Sequence, residues 1–207
     1  MATTPDRDPV TLYATLGEPL SRWLWIVKPL LLIPHYIVLA ILGFVASITW
    51  VITLFAILFT GRYPRGLFDF HMGVFRWTWR VEFYGFQGLA TDVYPPFQFS
   101  GPIDYPADIE IEYPENLNRW LVLIKLFLAI PHLVILTILR GGENGLSTLL
   151  VFIAGIILLF TGKYPKGIFD LLMGVHIWWY RTIAYVAFMT DRYPPFRLDV
   201  PPPLAHR

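Results

Sequence analysis

Two histidines, His35 and His132, each follow a proline near the middle of a long apolar run. Facing imidazoles in a helix bundle are the ligand set of a bis-histidine haem, and this pair is the candidate for one. The plainer expectation is that each imidazole bonds a carbonyl freed by its proline. Basic residues form a second set. Arg62 and Arg65 flank Tyr63-Pro64, and Lys163 and Lys166 flank Tyr164-Pro165. Such pairs attract anionic lipid headgroups, or an acidic partner, by about 1 kcal/mol per charge. Arg76, Arg80 and Arg181 follow in the next helix and extend this headgroup- or partner-contact set. Asp69 and Asp170 stand near the start of that helix, where the helix dipole favours a carboxylate. No nucleophile with an adjacent base accompanies them, so the sequence assigns no catalytic residue. There is no cysteine, which excludes disulfides, thiol catalysis and cysteine metal sites.

These residues recur because the chain repeats itself. FTGRYPRGLFDFHMGVFRWTWR, from Phe59, returns as FTGKYPKGIFDLLMGVHIWWYR, from Phe160. Arg22-Trp23, Lys28 and Ile33-Pro34-His35 return as Arg119-Trp120, Lys125 and Ile130-Pro131-His132. Asp92 and Tyr94-Pro95-Pro96-Phe97 return as Asp191 and Tyr193-Pro194-Pro195-Phe196. This is a tandem duplication of a roughly 90-residue unit, and like units usually meet about a pseudo-twofold axis. Residues 1–100 form the first membrane repeat. Residues 101–118 form an acidic, proline-rich linker carrying the leading strand of the second; 119–199 are the second repeat and 200–207 an extended tail.

Composition sets the solvent. The chain has 207 residues, 56% hydrophobic and 15% charged. Soluble domains carry about 25% charge. From Trp23 to Thr60 the only fully charged residue is Lys28. A span needs about 20 apolar residues, so this run is nearly two spans long. In the second copy the polar, glycine-rich loop Arg140–Gly145 divides the run, which predicts a hairpin of helices A and B. The matching turn of the first copy falls near Gly43. Helix C follows the basic turn. Asp69, Arg76, Arg80 and Gln87 lie within about 20° of one line on it, and its other faces are aromatic. That pattern predicts an amphipathic helix in the membrane interface. Arg22-Trp23 and Arg119-Trp120 read as headgroup anchors, with Lys28 and Lys125 snorkelling back to them. Val10–Ala14, Ile109–Tyr113, Phe97–Phe99 and Phe196–Leu198 are short and extended, and predict a small sheet.

If only A and B span, every Lys and Arg except Arg140 lies on one side, as the positive-inside rule requires. The first residues lack the charged-then-apolar form of a signal peptide, so the first helix is expected to act as its own insertion signal. No basic run of the nucleic-acid type appears.

At these same motifs the chain resembles a bacterial tandem-repeat membrane-protein family catalogued only as a domain of unknown function. The resemblance rests on Ile33-Pro34-His35, Gly61–Gly66, Phe68-Asp69, Arg76 with Arg80, and Asp92–Phe97. Their second-copy counterparts are Ile130–His132, Gly162–Gly167, Phe169-Asp170, Arg181 and Asp191–Phe196. Ile177 stands where the pattern has the first arginine, so a role needing both arginines is confined to the first copy. The resemblance implies the fold and a bacterial plasma-membrane location, and no activity.

The sequence therefore predicts a mainly α integral membrane protein. Each of two repeats holds a transmembrane hairpin and an interfacial helix, with short strands forming a small cytoplasmic sheet and both termini cytoplasmic. The expected role is non-enzymatic: an accessory or scaffold subunit, or an organiser of anionic lipid, with a membrane-protein partner or a second copy alongside. A small transporter or channel subunit, or a haem protein ligated by His35 and His132, are the alternatives.

Overall fold

A computed structural model describes residues 8–99, 101, 103–141 and 145–199. The tail at 200–207 and the tip of the loop at 142–144 lie outside the described residues. Among the described residues the chain forms six helices and two strands. β1 is Val10–Ala14, α1 Leu24–Leu31, α2 Ile33–Thr60, α3 Arg65–Tyr84, β2 Ala107–Ile111, α4 Leu121–Arg140, α5 Leu146–Thr161 and α6 Lys166–Val186.

α2 is one unbroken helix. It is apolar throughout, starts with Pro34 in its first turn, and ends at Gly61. Gly61 takes φ 71° and its N–H bonds the Ile57 carbonyl, a left-handed stop that glycine adopts without strain. Gly162 ends α5 in the same way, with its N–H on the Leu158 carbonyl. The hairpin expected in the first repeat is therefore not formed. Nothing polar interrupts Gly43, and a lone glycine costs a helix only about 1 kcal/mol, so the helix runs through it. The second repeat breaks only where its extra polar loop intervenes, between α4 and α5. Two helices, α2 and α4, are long and apolar enough to cross a membrane.

α2 turns a stripe with His35, Leu42, Thr49, Thr53 and Ile57 toward the protein, continuing that of Leu32 just before it. Its other faces stay exposed and apolar, as do those of α1, α4 and α5. The hydroxyls on these faces are satisfied within their own helix. Ser47 donates to the Phe44 carbonyl, Thr60 to Ala56, Thr137 to Leu133 and Thr161 to Ile157.

α3 and α6 form the core rather than an interfacial layer. Trp79 and Phe83 of α3, and Leu172, Met173 and Ala184 of α6, are buried. On the polar line of α3, Asp69 is exposed, but Arg76 and Arg80 meet the sheet and not water: the Arg76 Nε donates to the Ile109 carbonyl at 3.2 Å and Arg80 to Asp108. An amphipathic pattern shows that one face differs from the others, not what covers it.

The sheet holds two strands instead of four pieces. β1 and β2 pair antiparallel, with Leu12 opposite Ile109. Counting back from Arg22-Trp23 and Arg119-Trp120, Leu12 and Ile109 are equivalent positions of the two repeats. Trp79 and Tyr180 are also equivalent, and their rings touch at 5.6 Å. The pseudo-twofold axis therefore runs through the middle of the sheet and the crossing of α3 with α6. The Trp79 Nε1 donates to the Tyr13 carbonyl and joins the two layers.

Gly61 supplies one direct check. A Cβ there would stand 3.0 Å from the Arg119 Nε, on top of the left-handed φ. Gly61→Ala is expected to lose about 1–2 kcal/mol, read as a lowered unfolding midpoint in detergent. Gly43→Ala, with open space around it, should stabilise slightly.

Candidate functional site

The most polar parts of the apolar helices are two matching nests. In the first, Lys28 is buried on α1. Its Nζ donates to the Thr91 carbonyl at 2.7 Å, pairs with Asp92 at 3.0 Å and lies over the Tyr84 ring. Directly after Pro34, His35 accepts the Trp77 indole N–H on Nδ1 at 2.9 Å. Phe97 stacks on the imidazole at 4.0 Å. The Tyr94 hydroxyl donates to the Leu31 carbonyl at 2.9 Å. That carbonyl sits three residues before Pro34, in the turn the proline loosens.

The second nest copies the first. Lys125 donates to the Thr190 carbonyl at 2.7 Å and pairs with Asp191 at 2.8 Å. His132 accepts from Trp178 at 2.9 Å and stacks with Phe196 at 3.8 Å; Tyr193 donates to the Leu128 carbonyl at 3.1 Å. The Tyr-Pro-Pro-Phe segments thus latch helix C to helix A of their own repeat. Three expectations change. The lysines do not snorkel, because a carboxylate and a carbonyl meet them inside. A carbonyl in the turn before each proline, that of Leu31 or Leu128, goes to a tyrosine. Each histidine is enclosed by its own repeat's aromatic rings, so His35 and His132 are not the facing pair a bis-histidine haem requires. Among the described residues no three His, Asp or Glu side chains converge in a metal-holding group.

The arginines separate into two classes. Arg80 is fully buried. Its Nη2 donates to Asp108 at 3.4 Å and to the Gly101 carbonyl at 3.2 Å, and its Nη1 to the Gln98 carbonyl. Arg76 approaches the same Asp108 at 3.5 Å. Burial pushes the Asp108 carboxyl above its usual range, although the Ile109 N–H and both guanidiniums pull the other way. Arg181 is buried between Asp8 at 2.7 Å and Asp199 at 2.5 Å. Burial raises the Asp199 pKa, but the bonds and charges of Arg181 and Arg197 outweigh it and hold it below the usual value. Arg76, Arg80 and Arg181 therefore bind the sheet, Asp8 and Asp199 to α3 and α6, and they are withdrawn from the headgroup-contact set.

Arg62, Arg65, Lys163 and Lys166 are exposed. Each basic turn acquires a third cation from the other repeat. Arg119 packs on Gly61 and its Nη2 donates to the Thr60 carbonyl at 3.3 Å. Arg22 packs on Gly162 in the equivalent way. Arg65 lies over the Tyr113 ring at 3.6 Å, and the Tyr113 hydroxyl donates to the Tyr63 carbonyl at 2.6 Å. Beside each turn stand strongly exposed aromatic residues: Trp120 at 75% and Phe59 at 73%, Trp23 at 68% and Phe160 at 76%.

One cluster breaks the symmetry. Arg140 pairs with Glu82 at 2.5 Å and lies over Trp179. The Tyr180 hydroxyl donates to Glu82 at 2.8 Å. His176, buried beside them, shares a hydrogen at Nε2 with the Gln87 carbonyl at 2.9 Å.

No curated protein and no solved structure matches the chain. A family profile described as "Domain of unknown function (DUF4389)" matches it twice, over residues 22–98 and 119–197. Those two stretches hold both nests, both basic turns and both Tyr-Pro-Pro-Phe latches, so the chain is a tandem member of the family of that domain of unknown function.

Proposed function

We propose that this chain is a non-enzymatic protein of the bacterial plasma membrane, an accessory or scaffold subunit or an organiser of anionic lipid. One observation carries the reading. α1, α2, α4 and α5 expose apolar faces along their length while their hydroxyls bond back to their own helix and their lysines and histidines turn inward. An aqueous surface rarely presents contiguous apolar patches beyond a few hundred Å², whereas hydrocarbon requires every polar group to be satisfied internally. The exposed basic turns with their tryptophans suit a headgroup layer on the cytoplasmic side. The first residues described and the segment around Asp199 meet at Arg181, so this reading keeps both ends of the chain on that side.

The test is alkaline extraction of membranes expressing the chain, then purification in mild detergent. The chain should remain in the pellet, need detergent for release, and carry a stoichiometric partner or anionic lipid. Release by alkali alone would overturn the reading.

A further inference from the structure

We infer that the pseudo-twofold axis stands along the bilayer normal, with the α1–α2 and α4–α5 rods lying within one leaflet. The two composite basic clusters at the rod ends then each bind an anionic phospholipid headgroup of that same leaflet. This rests on the membrane reading above and adds an orientation and a ligand.

The axis is fixed by residues that meet their own equivalents. Leu12 pairs with Ile109 in the sheet, and Trp79 touches Tyr180 beneath it. The sheet therefore caps one pole of the axis. The basic clusters, Arg22 with Lys163 and Lys166, and Arg119 with Arg62 and Arg65, are exchanged by the axis, so both sit at one height along it. They lie toward the sheet. The Tyr113 hydroxyl holds Tyr63, and the Leu117 N–H bonds the Gly61 carbonyl, only a few residues after β2 ends.

Two orientations are compatible with a twofold. An axis in the membrane plane would place the clusters on opposite faces. It would also set the sheet, with exposed Asp104, Glu112 and Glu115 beside it, at mid-bilayer, where unpaired charge is strongly disfavoured. An axis along the normal sends those carboxylates to water and brings both clusters to the headgroups of one face, flanked by Trp23 and Trp120 at interfacial depth. The length of α1 and α2 together, roughly 55 Å at 1.5 Å per residue, then extends along the leaflet. Each cluster offers three cations beside exposed hydrocarbon. That matches a headgroup phosphate, which arginine grips with paired N–H donors, attached to acyl chains. Both repeats contribute to each cluster, so one lipid would bridge the two.

The chain lacks cysteine, so single cysteines can be placed at will. Ser21→Cys and Asn116→Cys, one beside each cluster, are treated with a membrane-impermeant maleimide in sealed phosphatidylcholine–phosphatidylglycerol vesicles. Both should label from the same side; labelling from opposite sides overturns the orientation. Nitroxides on Ile37→Cys, Phe44→Cys and Phe55→Cys should report depths within one leaflet, and a profile passing from one headgroup layer to the other overturns it. Native mass spectrometry should find two phosphatidylglycerols retained per chain in preference to phosphatidylcholine. Arg22→Gln with Lys163→Gln, or Arg119→Gln with Arg62→Gln, should each leave one. No preference for phosphatidylglycerol, or its displacement by inorganic phosphate, overturns the lipid sites. A chain that alkali releases fails the membrane reading itself; one that stays in the pellet but labels from both faces fails only this orientation.

Discussion

Asp92→Ala is expected to destabilise the chain by about 3 kcal/mol, the low end of what breaking a buried ion pair costs. The substitution leaves the Lys28 ammonium inside the protein with the Thr91 carbonyl and the face of Tyr84 as its remaining partners. Asp92 keeps 26% of its side chain exposed, so water can reach part of the vacated space and hold the loss below the upper end. It also removes the acceptor that the Ser21 N–H uses, which frees the entry to α1. The damage comes from the orphaned charge more than from a lost attraction. Lys28→Met combined with Asp92→Ala should therefore recover much of the loss. Unfolding in mixed detergent micelles measures both variants against the parent chain. A double variant as unstable as Asp92→Ala alone would show that the nest depends on the pair itself. Because the second nest repeats the first atom for atom at Lys125, Thr190 and Asp191, Asp191→Ala should lose a similar amount. A much smaller effect there would mean that the duplicated geometry does not carry duplicated energetics.

The repeat, the glycine stops and the position of β1 were legible in the sequence because each depends on local chemistry. Gly61 and Gly162 end helices wherever they sit, since only glycine takes φ 71° freely. β1 occupies Val10–Ala14 as its alternation requires, and β2 lies two residues ahead of the expected run, because its partner fixes the register. What the sequence could not supply was the occupant of each face. Lys28 looked able to snorkel because Asp92 is far away in sequence. The stripe of Arg76 and Arg80 looked interfacial because Asp108 belongs to a segment that reads as an acidic linker. The polar loop of the second repeat is an addition and not the pattern, so it predicts no hairpin in the first. The cross-repeat arginines, Arg22 and Arg119, had a signal after all. A tandem duplication with a glycine in left-handed conformation beside a basic turn leaves room for a side chain from the other copy.

The cluster that departs from symmetry makes folding depend on pH. His176 occupies the position of Phe75, Arg140 that of Gly43 and Glu82 that of Ile183, so the symmetry-related site shows how this one looks without polar groups. Burial lowers the His176 pKa from 6.5 to about 4, helped by the positive charge of Arg140; Glu82 and the Gln87 carbonyl act in the opposite direction without prevailing. The folded chain therefore holds His176 neutral at a pH where the unfolded chain protonates it. Stability is full above about pH 6.5 and falls as the pH drops toward 4. The total loss from this one group is roughly 3 kcal/mol, of which about 2 kcal/mol is gone by pH 5. Unfolding midpoints at pH 7.5 and pH 5 should separate accordingly. His176→Phe, which copies the residue that the first repeat already accommodates, should flatten the limb between pH 5 and 6.5 even if it shifts stability at neutral pH. If the limb keeps its slope in that variant, the acid sensitivity belongs to another group and the neutral, buried state assigned to His176 is wrong. The same measurement bears on why the two halves differ. Without the Arg140–Glu82 pair and its histidine, the two halves would present nearly identical apolar seams to each other. One polar seam, satisfied only when Arg140 meets Glu82 of the other repeat, gives the pairing of the repeats a single register, in the way that one buried polar group specifies a coiled coil at some cost in stability.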